Sequence, residues 1–266
     1  MNITYKLLII FSLCGVTTAS LATDYYPERT HLIDQNTQLG TYLFRGNMPL
    51  IGKGNQRTFQ YEQLSKQLKK YVKILNSGFY LIDVSLINKV NSDERKDLNI
   101  ENVYFDNNPD KGVLAHHAIF GQLVSYPRTL KKLFHQSSNA TLATIKLPIF
   151  LDKLPSLIEQ LGQCTHKKQC DNLAPLYNNP DNLPVVIYFH CESGTDRTGN
   201  IAASYRMHYK NMGLNQAWNM NLNESYRSPN KAAQRETENY CARITPYSDW
   251  VSHCIIQPFD TNQLAL

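Results

Sequence analysis

The stretch Val185-Val-Ile-Tyr-Phe-His-Cys-Glu-Ser-Gly-Thr-Asp-Arg-Thr-Gly-Asn200 decides the fold. Its first five residues form an apolar run, rich in β-branched and aromatic side chains, that predicts a buried strand, and the residues from Arg197 onward are typical of a helix. Five residues separate Cys191 from Arg197, which is enough for one tight loop. The sequence therefore predicts a strand that ends at a thiol, a short loop, and a helix that begins at a guanidinium.

A strand, a loop and a helix in this order can bind an anion. The backbone N–H groups of the loop can point inward, and the N-terminus of the helix adds the positive end of its dipole. Arg197 closes the loop with a planar fork of donors that matches two phosphate oxygens. The same field stabilises a thiolate, so we expect Cys191 to be a nucleophile near neutral pH. The residues expected to line the bound phosphate are Glu192, Ser193, Gly194, Thr195 and Asp196.

This loop resembles that of the cysteine-dependent protein tyrosine and dual-specificity phosphatases, which reads His-Cys, five variable residues, Arg, and Ser or Thr. The resemblance implies hydrolysis of phosphomonoesters through a phosphocysteine, with no metal and no other cofactor. It also implies that Thr198 hydrogen-bonds the Cys191 sulfur and that His190 orients the cysteine backbone through a side-chain hydrogen bond. The alternatives are that Thr198 is a helix N-cap and that Cys191 is a buried structural thiol or half of a disulfide.

Expulsion of an alkoxide or phenolate also needs a general acid near the leaving oxygen. Asp152 is our first candidate, because it follows a predicted strand at the position where the resembling family carries its acid. Asp196 is the rival candidate, since an Asp-Arg-Thr ending also occurs in myotubularin-like, Sac-like and bacterial inositol phosphatases.

The order of elements supports the same family resemblance. The segment 42–49 resembles the opening segment of small dual-specificity phosphatases, and a helix around 61–75 and a strand at 78–86 follow it. Strands interleaved with helices predict an α/β fold of three layers, α/β/α, around a central, mostly parallel sheet. The phosphatase-like core then spans about 40–243. Further predicted elements are a strand and a helix within 144–161 and helices at 197–212, 214–223 and 232–243.

Residues 90–143 form a longer connection than the family usually has at this point. We interpret them as an insertion before the general-acid loop. Short helices are predicted near Leu114 to Tyr126 and near Arg128 to Phe134.

The N-terminus has the pattern of a secretory signal peptide. A short basic start ending at Lys6 precedes an apolar stretch of about ten residues, and small residues suited to cleavage end at Ala22. The apolar stretch is shorter than the roughly 20 residues that a transmembrane helix needs, and no later apolar stretch in the sequence exceeds it in length. We therefore expect residues 1–22 to be removed and 23–266 to form a single catalytic domain. The predicted location is secreted or periplasmic, as in an exported bacterial-type enzyme.

Composition narrows the partners. Charged residues make up 18 % and apolar ones 42 % of the chain, a balance that allows a well-packed core. The formal charge of +5 falls to +4 once Lys6 leaves with the signal. The basic residues occur in short dispersed clusters without a nucleic-acid motif, which disfavours nucleic acid as a partner. Nothing in the sequence indicates an oligomeric state.

Five cysteines remain after cleavage near Ala22. If Cys191 is the nucleophile, an even four are left, as in an exported protein with two disulfides. We favour the local pairs Cys164–Cys170 and Cys241–Cys254 among the three possible connectivities. Zinc binding around Cys164 and Cys170 is disfavoured, because no second closely spaced cysteine pair accompanies them.

The loop also bears on substrate class. Inositide phosphatases often carry lysines within it, whereas Glu192 and Thr195 stand at the variable positions here. A phosphoprotein substrate, chiefly phosphotyrosine, is therefore favoured over a phosphoinositide or an inositol phosphate. A non-catalytic pseudophosphatase that only binds phosphorylated partners is the third possibility.

Overall fold

The computed structural model describes residues 24–89, 91–119, 183–245 and 253–257. These residues form seven β-strands and five α-helices. The strands are β1 (His31–Asn36), β2 (Thr41–Asn47), β3 (Leu50–Ile51), β4 (Thr58–Phe59), β5 (Tyr80–Ser85), β6 (Gly112–His116) and β7 (Val185–Cys191). The helices are α1 (Tyr61–Tyr71), α2 (Ser92–Asn107), α3 (Asp196–Lys210), α4 (Leu214–Ser225) and α5 (Lys231–Ile244). No helix of the described ranges combines the length and apolar character needed to span a bilayer.

Five of the strands form one sheet in the order β1-β2-β7-β5-β6. The pairs β2–β7, β7–β5 and β5–β6 are parallel, and only β1 runs antiparallel, against β2. Every residue of the central strand β7 is buried, as expected for a parallel strand with a layer of helices on each face. Asn47 and Cys191 are register partners, so β2 and β7 end together at the same edge of the sheet.

The alternation of side chains along β7 defines the two faces of this sheet. Val185, Ile187 and Phe189 belong to the core that also contains residues of α3 and α4, including Ile201 and Trp218. The intervening side chains Val186 and Tyr188 belong to the second core, where Leu64 and Leu68 of α1 and Phe105 of α2 pack. Successive residues of a strand point to opposite faces, so Cys191 and His190 also diverge. Helices thus cover both faces, and the predicted α/β architecture with a mostly parallel sheet is confirmed.

Most of the locally predicted elements are present. The predicted strands around 78–86 and 185–190 correspond to β5 and β7, and the three predicted C-terminal helices correspond to α3, α4 and α5. The helix predicted at 61–75 ends earlier, at Tyr71, and a 3-10 helix (Lys73–Ser77) follows it. Helix α3 ends at Lys210, before the predicted end at residue 212, because Asn211 takes a left-handed conformation and stops it.

The segment interpreted as an insertion differs most from the prediction. Its first part forms α2 and the edge strand β6, which pairs in parallel with β5. The prediction of a helix starting at Leu114 is wrong at that end, because Gly112–His116 complete the sheet. Periodicity cannot separate a short apolar run in a strand from one in a helix, and pairing with β5 decides the outcome.

A disulfide joins Cys241, near the end of α5, to Cys254, as predicted. It anchors the segment 253–257 to the helix. Several other predicted features lie outside the described residues: the signal peptide 1–22, the helix at 128–134, the elements at 144–161 with Asp152, and the pair Cys164–Cys170.

Candidate active site

The thiol of Cys191 lies at the carboxyl end of β7, where the parallel strands of the sheet terminate. It is the free cysteine of the described residues, and its side chain is buried. Ligands of open α/β sheets bind at this edge, beyond the carboxyl ends of the strands. The loop that follows connects the thiol directly to the N-terminus of α3 at Asp196.

Donors from neighbouring segments hold the carbonyl groups of this loop. The backbone N–H of Met48 donates to the carbonyl of Cys191 at 2.9 Å and to that of Glu192 at 3.3 Å. The Arg29 guanidinium donates to the carbonyl of Ser193 at 2.7 Å. Three consecutive carbonyls therefore point to partners outside the loop.

A fourth carbonyl, that of Gly194, accepts a hydrogen bond from Arg45 of β2. The Arg45 side chain is fully buried and is also paired with Glu224 at 3.1 Å and with Asn221, both on α4. Burial lowers the pKa of Arg45, and the Glu224 carboxylate offsets part of that cost. Arg45 thus connects the loop both to the sheet and to helix α4.

The direction of these carbonyls fixes the direction of the loop N–H groups. In a planar trans peptide, the C=O of one residue and the N–H of the next point to opposite sides. The carbonyls of residues 191–194 are bound outward, so the N–H groups of residues 192–195 point into the loop. This is the arrangement of an anion-binding nest at a helix N-terminus.

Gly194 allows the loop to turn this tightly. Its φ of +70° lies in the left-handed region. A Cβ at this position would lie 2.7 Å from both the Asn47 nitrogen and the Gly46 oxygen. A glycine is therefore required here for two reasons, the backbone conformation and the close approach of β2.

Arg197, in the first turn of α3, is held by Glu94 of α2. Its Nη1 and Nη2 donate to the two carboxylate oxygens of Glu94 at 3.0 and 2.5 Å, and both side chains are almost fully buried. Burial lowers the pKa of Arg197, but Cys191 and Glu94 more than reverse this and raise it above its ordinary value. The guanidinium thus lies in the field of Cys191 as a permanent cation. Sequence reasoning missed Glu94, which lies 97 residues before Cys191.

The Thr198 side chain contacts the backbone of Cys191. The Thr198 hydroxyl oxygen accepts the N–H of Cys191 at 2.8 Å, which fixes the start of the loop against α3. Helix α3 begins at Asp196 with Thr195 as its N-cap, so the alternative role of Thr198 as the N-cap is wrong. The predicted contact to the sulfur stays a prediction.

Asp196, the rival general acid, is engaged with the connection between α4 and α5. Its carboxylate accepts hydrogen bonds from both terminal nitrogens of Arg227, at 2.8 and 3.3 Å, and from the N–H of Asn230 at 2.7 Å. Arg227 also donates to the Ser193 hydroxyl at 3.0 Å. Asp196 and Ser193 therefore join the loop to the segment between the two helices.

His190 lies on the face of the sheet opposite to Cys191 and is fully buried. Its Nε2 is 3.1 Å from Asp83 Oδ1, on β5, and 3.3 Å from Glu101 Oε1, on α2. Neither ring nitrogen makes a hydrogen bond of acceptable geometry with the described residues. The expected hydrogen bond to the Cys191 backbone is thus not formed, because the ring turns toward the two acids.

This trio of buried side chains has unusual electrostatics. Burial raises the pKa of Glu101 well above its ordinary value, and His190 offsets only part of this rise, so that the pKa is about 8. Burial lowers the pKa of His190, but the Asp83 and Glu101 carboxylates more than reverse this and raise it to about 9. Both pKa shifts favour the protonated forms, so the cluster favours the binding of positive charge. Asp83 had a signal in the sequence, since an acid inside an apolar strand needs a partner.

Comparison with known proteins gives few matches. No protein-family profile matches the chain, and no curated protein matches it. Among solved structures, it is similar to the core catalytic domain of the PP-IP phosphatase SIW14 from S. cerevisiae in complex with citrate. That likeness has 16 % identity and a TM-score of 0.36, and it covers 87 % of this chain and 99 % of that one. A second structure, of the Siw14 catalytic core, matches with 16 % identity and a TM-score of 0.34, over 79 % and 89 % of the two chains.

Proposed function

We propose that this chain is a cysteine-dependent phosphomonoester hydrolase that acts through a phosphocysteine. One observation carries the proposal: the carbonyls of residues 191–194 are bound outward, so four N–H groups face inward between a free thiol and a buried arginine. Such a ring of donors binds the oxygens of a phosphoryl group and stabilises the charge that they gain during transfer. Neither a structural thiol nor a disulfide explains this arrangement.

The reaction follows from the order of these groups. The Cys191 thiolate attacks phosphorus in line, so that an S–P bond forms while the P–O bond to the leaving group breaks. The leaving oxygen takes a proton from the general acid. Water then attacks the phosphocysteine, which releases inorganic phosphate and restores the thiolate. Arg197 and the loop N–H groups bind the non-bridging oxygens in both steps.

Asp152 is our proposed general acid. The contacts of Asp196 support this choice, because three hydrogen bonds from Arg227 and Asn230 occupy its carboxylate and hold it at the start of α3. A donor of protons must instead be free to carry one and to reach the leaving oxygen.

Single-turnover rates on two substrates test the general acid. Asp152→Asn should slow phenyl phosphate by about 10²–10⁴-fold, but p-nitrophenyl phosphate much less, since its leaving group needs little protonation. Asp196→Asn serves as the matched control and should affect both substrates alike. The opposite pattern, with the leaving-group dependence in Asp196→Asn, would reassign the acid to Asp196.

We propose a phosphoprotein, chiefly phosphotyrosine, as the substrate. The support is the loop composition, since Glu192 stands beside the nucleophile where a polyphosphorylated ligand would need a cation. A panel of phosphotyrosine and phosphoserine peptides, phosphoinositides, an inositol phosphate and an inositol pyrophosphate tests this. A larger kcat/KM on any of the inositol compounds than on phosphotyrosine peptides would overturn it.

We also propose that the chain is exported and cleaved near Ala22. The Cys241–Cys254 disulfide supports this, because disulfides persist in oxidising compartments. Expression of the full chain in an exporting host, followed by N-terminal sequencing, tests the proposal. A mature N-terminus at Met1 in the cell interior would contradict it.

The enzyme assignment is tested by hydrolysis of p-nitrophenyl phosphate. The wild-type protein should turn over, and Cys191→Ser should not while it keeps the fold. A protein that binds phosphotyrosine peptides but shows no turnover on any member of the substrate panel would be a pseudophosphatase.

A further inference from the structure

Three side chains with metal-binding atoms meet beneath the candidate active site. Asp83 of β5, Glu101 of α2 and His190 of β7 are each fully buried. One carboxylate oxygen from each acid and one ring nitrogen lie within 4.8 Å of one another. They occupy the face of the sheet opposite to Cys191, so they form a cluster separate from the phosphate loop.

Hydrogen bonding does not satisfy this cluster. None of its four carboxylate oxygens and two ring nitrogens makes a hydrogen bond of acceptable geometry with the described residues. The hydroxyl of Ser85 lies on the same face of β5, next to Glu101. It too lacks a hydrogen bond of acceptable geometry with the described residues. Buried polar atoms are nearly always paired, and each unpaired one costs about 1–3 kcal/mol. Seven such atoms on four neighbouring side chains indicate a binding partner of another kind.

The charge of the cluster identifies that partner as a cation. Once its ligands have released their protons, the site carries the two negative charges of its carboxylates, and a divalent ion would neutralise them. The guanidinium of Arg197 is already paired with Glu94, on the helix that also carries Glu101. Within the described ranges, no lysine or arginine lies within ion-pair distance of Asp83 or Glu101.

The spacing of the atoms fits metal ligation. In a tetrahedral site with metal–ligand bonds of about 2.0–2.1 Å, neighbouring ligand atoms lie about 3.3 Å apart. The observed separations from His190 Nε2 are 3.1 Å to Asp83 and 3.3 Å to Glu101. A charge-assisted hydrogen bond would also require alignment with the ring N–H, and neither nitrogen of His190 has such a partner among the described residues.

We propose that Asp83, Glu101 and His190 bind one divalent metal ion, with the Ser85 hydroxyl as the fourth ligand. Imidazole and carboxylate ligands suit zinc. The ion is structural and takes no part in phosphoryl transfer. It ties α2 to the central strands, and Glu94 lies seven residues before Glu101 on the same face of that helix. The metal therefore holds in place the carboxylate that positions Arg197.

Metal analysis tests the site directly. The full chain is produced in zinc-replete medium as Cys191→Ser, so that the active-site thiol cannot bind zinc, and its metal content is measured by mass spectrometry. We expect about one equivalent of zinc per chain, falling to near zero in Asp83→Asn and Glu101→Gln. Asp97→Asn is the matched control, because Asp97 is a buried acid on the same helix that is paired with Arg57. It should retain the zinc.

A second measurement does not depend on the variants folding. Cobalt exchanged into the Cys191→Ser protein should give the visible spectrum of a tetrahedral nitrogen and oxygen site, without the sulfur-to-metal charge-transfer bands of a cysteine site. A chelator should lower Tm, and one equivalent of zinc should restore it. The proposal is overturned if no zinc co-purifies and added zinc leaves Tm unchanged. It is equally overturned if zinc persists in Asp83→Asn and Glu101→Gln, or if the cobalt spectrum shows sulfur ligation.

Discussion

Replacing Glu94 with glutamine tests the support of the phosphate loop. The change keeps the size of the side chain and an oxygen that can still accept the N–H of Asn88, which now lies 2.9 Å from the carboxylate. It removes the negative charge opposite Arg197 and replaces the oxygen that accepts from Nη2 of Arg197 by an amide NH2. A buried ion pair that loses one partner costs about 3–5 kcal/mol, because the remaining charge stays in the interior without compensation. We expect the free energy of unfolding to fall by that amount.

Glu62→Gln is a matched control for this experiment. Glu62 occupies the first turn of α1, as Glu94 occupies the first turn of α2, so both changes remove the same favourable interaction with a helix dipole. The Glu62 side chain is 85 % exposed and lies 3.8 Å from Lys111. Its loss should cost under about 1 kcal/mol. The difference between the variants therefore isolates the buried ion pair.

Urea unfolding, monitored by circular dichroism, gives the free energy of unfolding of each variant. The kcat/KM on p-nitrophenyl phosphate reports whether Arg197 is still held in its working position. Glu94→Gln should lose at least tenfold in kcat/KM, whereas Glu62→Gln should not change it. The double variant Glu94→Leu, Arg197→Met should recover stability, because apolar replacement of both partners removes the unpaired charge, yet remain inactive. Equal stability of the two glutamine variants would refute the reasoning.

Three further variants test individual parts of the fold and loop. Gly194→Ser should lower the free energy of unfolding by at least about 1–2 kcal/mol and abolish activity, because φ is positive there and β2 leaves no room for a side chain. The control is Gly213→Ser, since Gly213 is an N-cap with open space around it. This variant should unfold at the same urea concentration as wild type or at a higher one. Arg45→Met should lower kcat/KM, with a loss in stability of about 1–3 kcal/mol, since a buried carbonyl loses its donor; an unchanged kcat/KM would argue against a role in shaping the loop. Removal of the disulfide by changing Cys241 and Cys254 to alanine should cost about 3 kcal/mol in urea unfolding and leave kcat/KM intact, while equal stability of the oxidised and alanine forms would contradict the expected constraint.

The parts of the site that were predictable from sequence are those encoded locally. The strand, loop and helix around Cys191 lie within about 25 residues, and the spacing of the thiol and Arg197 within them determines their geometry. Gly194 could be placed in the loop for the same reason. The donors that turn the loop carbonyls outward could not be assigned, because Arg29 and Arg45 come from segments about 150 residues earlier.

The acids around the loop depended on tertiary packing. Glu94 and Glu101 lie on α2, within a segment that the sequence indicated only as an insertion. Their roles become visible once α2 packs beside β5 and β7. The face of the sheet on which His190 lies could have been predicted, because adjacent residues of a strand point to opposite faces and Cys191 had to face the loop. Asp83, charged within an apolar strand, was the available sign of a partner on that second face.

The most direct measurement concerns the intermediate. Wild-type protein mixed with p-nitrophenyl phosphate is quenched with acid during turnover, and the phosphorylated peptide is identified by mass spectrometry and ³¹P NMR. We predict phosphate bonded to the sulfur of Cys191, formed in a burst that matches the release of p-nitrophenol, and neither adduct nor turnover in Cys191→Ser. Turnover without a sulfur-bound phosphate, or full activity in Cys191→Ser, would contradict the proposed chemistry.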